Sequence, residues 1–305
     1  MSMGTAEARY RQLEQTRQSY LDRARDCSEL TIPSLIPPDV HNETSDLYTP
    51  FQGIGARGVN NLASKLSIAL MPPNSPFFRF MVEPYTLKEM AQDEAARTSI
   101  EQQLGEYERA VMSEIETSGD RVAMHEALKH LIVGGNVLLH VGAEKTRVIH
   151  LDSYVVSRAP SGDVLEIVVV EHVSPNALDK ATAANISGKL EGDEKTVEVY
   201  THIERKNEFF NVYQEVKGTV VSGTKGKYKK DAVPFLPLRF SRIDGEDYGR
   251  GFVEELLGDL RSLEGLSQAI VEGAAAAAKV LFMVNPNGTT RMRTIAQAEN
   301  TAIIE

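Results

Sequence analysis

The segment Gly249 to Lys279, "GRGFVEELLGDLRSLEGLSQAIVEGAAAAAK", constrains this chain more than any other. Read as one helix at 1.5 Å per residue it spans roughly 45 Å, longer than most helices of globular domains. Phe252, Leu256, Leu260, Leu263, Ile270 and Ala274 form an apolar stripe along it. At about 100° per residue, Gly258, Ser262, Gly265, Ala269, Gly273 and Ala276 fall in a second narrow band made only of small side chains. Interior glycines cost a free helix roughly 1 kcal/mol each relative to alanine, and close approach of another backbone compensates for them. A long helix packed on one face and closely approached on the other implies helices repeated side by side around an assembly. The simpler alternative is a helix with incidental glycines and a solvated face.

The rest of the chain reads as helices followed by strands. Ala6, Tyr10, Leu13, Arg17, Tyr20, Ala24 and Cys27 follow a 4-3-4-3 spacing, which predicts an amphipathic first helix. A second helix is predicted from about Leu87 to Thr117, with Leu104, Tyr107, Val111 and Ile115 on one face. "SGD" breaks it before another helix from Arg121 to Val133. After Gly134-Gly135 come short apolar alternations, "NVLLHV", "RVIHL", "VLEIVVVEHV", "TVEVYTHIE", "FFNVYQEV" and "VPFLPLRF". These predict a mixed sheet, interrupted by a helix near Pro175 to Ser187. The fold class is α+β, and 305 residues allow two domains.

Composition narrows the function classes. With 33 basic and 43 acidic side chains the formal charge is −10, which argues against a protein that coats nucleic acid by neutralising phosphates. It leaves room for one that lets DNA pass without gripping it. Cys27 is the only cysteine, so an intrachain disulfide and a cysteine metal cluster are both excluded. The charged N-terminus lacks a signal-peptide core, and nowhere do about 18 apolar residues run together, so a soluble chain with no membrane partner is expected.

Four motifs come close to known chemistry. Gly53, Gly55 and Gly58 fit G-x-G-x-x-G, but the preceding "DVHNETSDLYTP" is no strand and the first carboxylate after Gly58 is Glu83. The glycines are expected to loosen a turn before a helix that buries Leu62 and Leu66. His125, Glu126 and His130 form H-E-x-x-x-H, one residue longer than the zinc-protease pattern, and the added residue rotates the second histidine by about 100°, so the two imidazoles no longer share a face. They read as a surface and a helix-edge histidine. Asp244 to Glu255, "DGEDYGRGFVEE", has the glycine and terminal glutamate of a calcium loop but Glu246 and Tyr248 at ligand places. Lys225, Lys227, Lys229 and Lys230 read as a solvated hairpin or loop edge, where lysine also discourages strand pairing; the alternative is a contact for phosphate or an acidic partner. No catalytic, cofactor-binding or metal-binding residue is assigned, and no enzyme activity is expected.

Read onward, "QGIGARGVNNLASKLSIALMPPNSPFFRF" from Gln52 to Phe80 closely resembles the portal, or head-to-tail connector, proteins of short-tailed bacteriophages. So do "GGNVLLHV" at Gly134 to Val141, "DYGRGFVEELLGDLRSLEGLSQA" at Asp247 to Ala269 and "AAAAAKVLFMVNPNGTTR" at Ala274 to Arg291. The resemblance implies a non-enzymatic subunit of a ring, typically a homododecamer, at one capsid vertex of the virion, assembled in the host cytoplasm. Double-stranded DNA is packaged through its channel by the terminase motor and later ejected, and its other partners are capsid, scaffolding and tail adaptor proteins. On that pattern residues 1–247 resemble the wing domain, 248–279 the stem helix and 280–305 the start of the clip. Family members continue with a return stem helix, channel loop and crown, so a subunit truncated at its C-terminus is expected. The small stripe then becomes the subunit interface, and Lys279, Arg291 and Arg293 become candidate contacts for DNA or a partner. The alternatives are another virion component, such as a tail adaptor or internal scaffold, and a dinucleotide-binding enzyme.

Overall fold

The computed structural model describes residues 5–38, 44–73, 75–83, 94–142, 145–175 and 196–278. Helix α1, Ala6–Glu29, starts at Thr5, whose side chain accepts a hydrogen bond from the Ala8 N–H. It buries Ala6, Tyr10, Arg17, Leu21, Ala24 and Cys27, close to the expected stripe; Leu21 takes the inward place assigned to Tyr20. Arg17 belongs on that stripe although it is charged. It is 3 % exposed, and its guanidinium donates to Tyr10 Oη at 2.9 Å and to the carbonyls of Leu151 and Tyr154 at 3.1 and 3.3 Å. A buried charge is tolerated here because both terminal nitrogens of the guanidinium are paired, with Glu14 as the counter-charge, although Nε has no partner among the described residues, and the bonds to the carbonyls tie helix to sheet.

Helix α2 is Ile54–Leu70 and α3 is Glu94–Thr117. The predicted start of α3 near Leu87 and the predicted helix at Pro175 to Ser187 lie largely outside the described residues. Of the apolar face expected on α3, Tyr107 and Val111 are exposed, while Met112 is the residue that reaches the core. Helix α4, Asp120–Gly134, is bounded by Gly119 and Gly135, at φ 79° and 73°. Both glycines take the left-handed conformation that other residues enter only at a cost.

The strands are β1 Asn136–Val141, β2 Thr146–Ile149, β3 Tyr154–Arg158, β4 Val164–Val173, β5 Val197–Lys206, β6 Phe209–Val216, β7 Thr219–Val220, β8 Gly226–Lys229 and β9 Phe235–Arg239. They form two sheets, β2-β1-β9 and β3-β4-β5-β6-β7 with β8 also on β6. Among the described residues every pair is antiparallel, which corrects the expectation of a mixed sheet. Three of the reversals are local: Gly162 (φ 92°), Asn207 (φ 58°) and Gly218 (φ 75°) turn β3 back on β4, β5 back on β6 and β6 back on β7. Strand β8 places Lys227 and Lys229 on the sheet's outer edge, as expected for an edge that resists further pairing.

Among the described residues the apolar core falls into two larger clusters and two smaller ones, the smaller around Tyr10 and Tyr200 and around Val199 and Val216. Of the two larger, one lies between α1 and the sheets, around Leu21, Leu138, Leu151, Tyr154, Ile167, Ile203 and Tyr248. The other is helical, with Cys27, Val59, Ala63, Leu128, Leu131, Ile132, Val253 and Leu260. Val253 and Leu260 belong to α5, Phe252–Ala277, which closes the described chain. No described helix is long and apolar enough to cross a membrane.

Candidate functional site

Helix α5 carries the small-residue stripe, and its base is fixed by the rest of the described chain. Its sequence favours helix at both ends: Glu254 and Glu255 sit in the first turn, where the dipole favours acids, and five alanines fill the last described turns. Its base is held by backbone contact. A Cβ on Gly251 would lie 2.4 Å from the Val133 carbonyl oxygen, and one on Gly249 would lie 2.9 Å from that of Gly135. Asn136, buried at the start of β1, accepts from the Gly249 N–H at 2.7 Å and donates to the carbonyls of Gly249 and Gly134 at 2.9 and 3.0 Å. One side chain thus joins the end of α4, the start of β1 and the approach to α5.

A second anchor lies halfway along. Glu264, 7 % exposed, accepts from Tyr48 Oη at 2.5 Å, Phe51 N at 2.8 Å and Gln52 N at 3.3 Å. Burial alone would raise its pKa, but hydrogen bonds from Tyr48 and the two backbone amides outweigh that and hold it below the ordinary glutamate value. A carboxyl with a depressed folded pKa contributes stability that is present above its unfolded pKa and lost as pH falls through the folded one. Glu264→Gln therefore costs about 1–2 kcal/mol at neutral pH by denaturant titration, and the difference from wild type closes well below the glutamate value of about 4.3. A gap that persists unchanged in acid would mean the charge has no part in holding Tyr48 to Gln52.

Beyond Ser267 every described residue of α5 is exposed. At 1.5 Å per residue the helix leaves the body for roughly 16 Å. Ile270 and Val271 on this part, and Leu266 just before it, have 71 %, 52 % and 64 % of their surface open. The predicted apolar stripe is corrected here: Leu260 is buried, Leu263 half-buried, and Phe252, Leu256, Ile270 and Ala274 are exposed. The inward face is Val253, Leu257, Leu260 and Glu264, because the contacts at Asn136 and Tyr48 to Gln52 set the rotation of the helix. Gly258, Ser262, Gly265, Ala269, Gly273 and Ala276 are all exposed, and a Cβ added at Gly258, Gly265 or Gly273 meets nothing within 4 Å. Within the described chain, then, no backbone uses the small stripe. Lys279, Arg291 and Arg293 lie outside the described residues.

The chain matches the family described as "Bacteriophage head to tail connecting protein" over residues 3–303. It is 40 % identical to the portal protein of Escherichia phage T7 over 307 residues, covering 96 % of this chain and 56 % of that protein. Against the portal protein of Enterobacteria phage T3 the identity is 40 %, with the same shares covered, and against that of Enterobacteria phage SP6 it is 31 %, over 90 % of this chain and 54 % of the relative. This chain belongs to the bacteriophage head to tail connecting protein family. It spans about half the length of the curated relatives it matches.

In this family member the near-miss motifs have structural tasks. The G-x-G-x-x-G glycines lie at and inside the start of α2, not in a turn before it, and none of the described strands precedes them. Gly55 faces α1's end, where a Cβ would meet the Leu30 carbonyl oxygen at 2.4 Å, and Gln52 bridges the Leu30 carbonyl at 2.7 Å to the Gly55 N–H at 2.9 Å. Helix α2 buries Val59 and Ala63, whereas the expected Leu62 and Leu66 are half-buried. The calcium-like acids are engaged elsewhere: Asp244 pairs with Arg242, Asp247 accepts from the Arg158 N–H, and Glu246 and Glu254 flank Arg250. Tyr248 is buried, its Oη accepting from the Val156 N–H at 3.0 Å. His125 is half-buried, and His130 is no helix-edge residue: it is 1 % exposed, and burial, with His150 beside it, pushes its pKa down to about 3.

Proposed function

We propose that this chain is a portal subunit, a component of a ring at one capsid vertex through which double-stranded DNA is packaged by a terminase and later ejected, and to which the tail attaches. The observation that carries this reading is the exposed half of α5, an apolar and small-residue helix surface that nothing in the described chain covers. Burying it against the same helix of a neighbouring copy is a head-to-tail contact, which closes into a ring when the rotation allows. The match to portal proteins over most of the chain supports the same reading. In this scheme residues 1–247 are the wing, 248–279 the stem helix and 280–305 the beginning of the clip. Gly258, Ser262, Gly265, Ala269, Gly273 and Ala276 form the contact between neighbouring stems, and Lys279, Arg291 and Arg293 face DNA or a motor or tail partner.

The net charge of −10 fits a conduit better than a DNA clamp, since strong phosphate binding would retard sliding. The work is oligomeric geometry, with capsid, scaffolding, terminase and tail adaptor proteins as partners in the virion and during assembly. Native mass spectrometry of the purified chain, with negative-stain imaging, tests this. A closed ring, a dodecamer on the family pattern, is the expected result; a chain that stays monomeric at high concentration overturns the assembly reading.

A further inference from the structure

Two elements meet where α4 passes the end of β2, and three metal-ligating side chains come together there. His130, on α4, is 1 % exposed, yet neither ring nitrogen has a hydrogen-bond partner among the described residues. An imidazole buried with both nitrogens unpaired is uncommon and calls for an occupant. His150, directly after β2, lies against it with ring centroids 4.4 Å apart and the planes inclined by 53°. Glu126 stands one turn before His130 on the same face of α4, and its Oε1 is 3.7 Å from His150 Nε2. One ligand atom from each of the three residues falls within 4.8 Å of the others.

We propose that Glu126, His130 and His150 bind one divalent transition-metal ion, zinc by the chemistry of the donors. Two imidazole nitrogens and one carboxylate oxygen suit zinc and disfavour magnesium or calcium, which take oxygen shells. At bond lengths of about 2.0–2.2 Å, tetrahedral ligand atoms stand about 3.4 Å apart, so the Glu126–His150 pair is nearly in place. The remaining closure needs only side-chain rotation, because Glu126 is exposed and His150 is half-buried. The open side of Glu126 leaves the fourth position to water. Such an ion ties α4 to the chain after β2. Since α4 carries Gly134 at its far end, beside the base of α5, the ion stiffens the platform on which α5 stands.

The test uses the purified chain, stripped of metal with a chelator and titrated with zinc alone by calorimetry, with magnesium alone in parallel. Expected is one zinc per chain and no magnesium binding at the same concentrations. Glu126→Gln and His150→Asn, at residues that carry no core packing, each weaken zinc about tenfold or more. His172→Asn, at an exposed histidine outside the cluster, leaves the affinity unchanged. The proposal is overturned if no stoichiometric zinc binds, if magnesium binds as well as zinc, if both cluster variants bind zinc like wild type, or if His172→Asn weakens it as much as they do. Circular dichroism of each variant confirms that a loss of binding is not a loss of fold.

Discussion

Gly265→Leu is expected to abolish ring assembly while leaving the subunit folded. In the isolated chain the substitution meets no obstacle, because a Cβ at Gly265 has nothing within 4 Å and the position is exposed. Helix propensity then favours leucine over glycine by roughly 0.5–1 kcal/mol, so the melting temperature of the monomer stays level or rises. Between copies the sign reverses. A leucine forced into a close helix contact costs about 1–3 kcal/mol, and a closed ring repeats that cost at every interface. Native mass spectrometry reads the assembly and circular dichroism reads the fold, so the two effects separate. Rings of normal size and abundance from the variant would remove the small stripe from the interface.

Gly135→Ala is expected to be the most destabilising single-methyl change in the described chain, by about 3 kcal/mol or more. Two costs coincide there. The residue sits at φ 73°, where a side chain adds roughly 1–2 kcal/mol. Its Cβ would also lie 2.4 Å from the Arg250 carbonyl carbon and 2.4 Å from the Gly251 nitrogen, and backbone atoms pinned by Asn136 have little room to retreat. The melting midpoint is expected to fall by roughly 6 °C or more. Gly223→Ala is the matched control, with φ 78° but nothing within 4 Å of the new methyl. If the two variants melt alike, the close approach of α4 and the base of α5 contributes nothing to stability.

Periodicity located α1 and the inward stripe from Ala6 to Cys27, because a helix repeats its inward face every turn whatever it packs against. The same rule misplaced the inward face of α5. That helix is apolar or small on more than one side, and a wheel cannot say which side turns in. The choice rests on Asn136 and on the segment Tyr48 to Gln52, both far away in sequence, and on glycines whose role is to let backbones touch. Glu264 shows the limit most clearly: among helix charges it looks like a solvated face, yet it is the second anchor of α5.

The family was legible in long strings such as that from Gln52 to Phe80, and so was the failure of the dinucleotide fingerprint, since both depend on neighbours along the chain. Spacing separates His125 from His130 on the helix, and the two differ in burial. Glu126 and His130 share a face by their spacing, but no rule of spacing could have supplied His150, which arrives at the end of β2 through the pairing of β2 with β1. By itself, then, the order of residues determined the helices, the strands, the α+β class and the family, all consequences of local periodicity and identity. The rotation of α5, its exposed small face and the Glu126–His130–His150 cluster were decided by tertiary packing, because each depends on backbone contacts between segments that the chain brings together only when it folds.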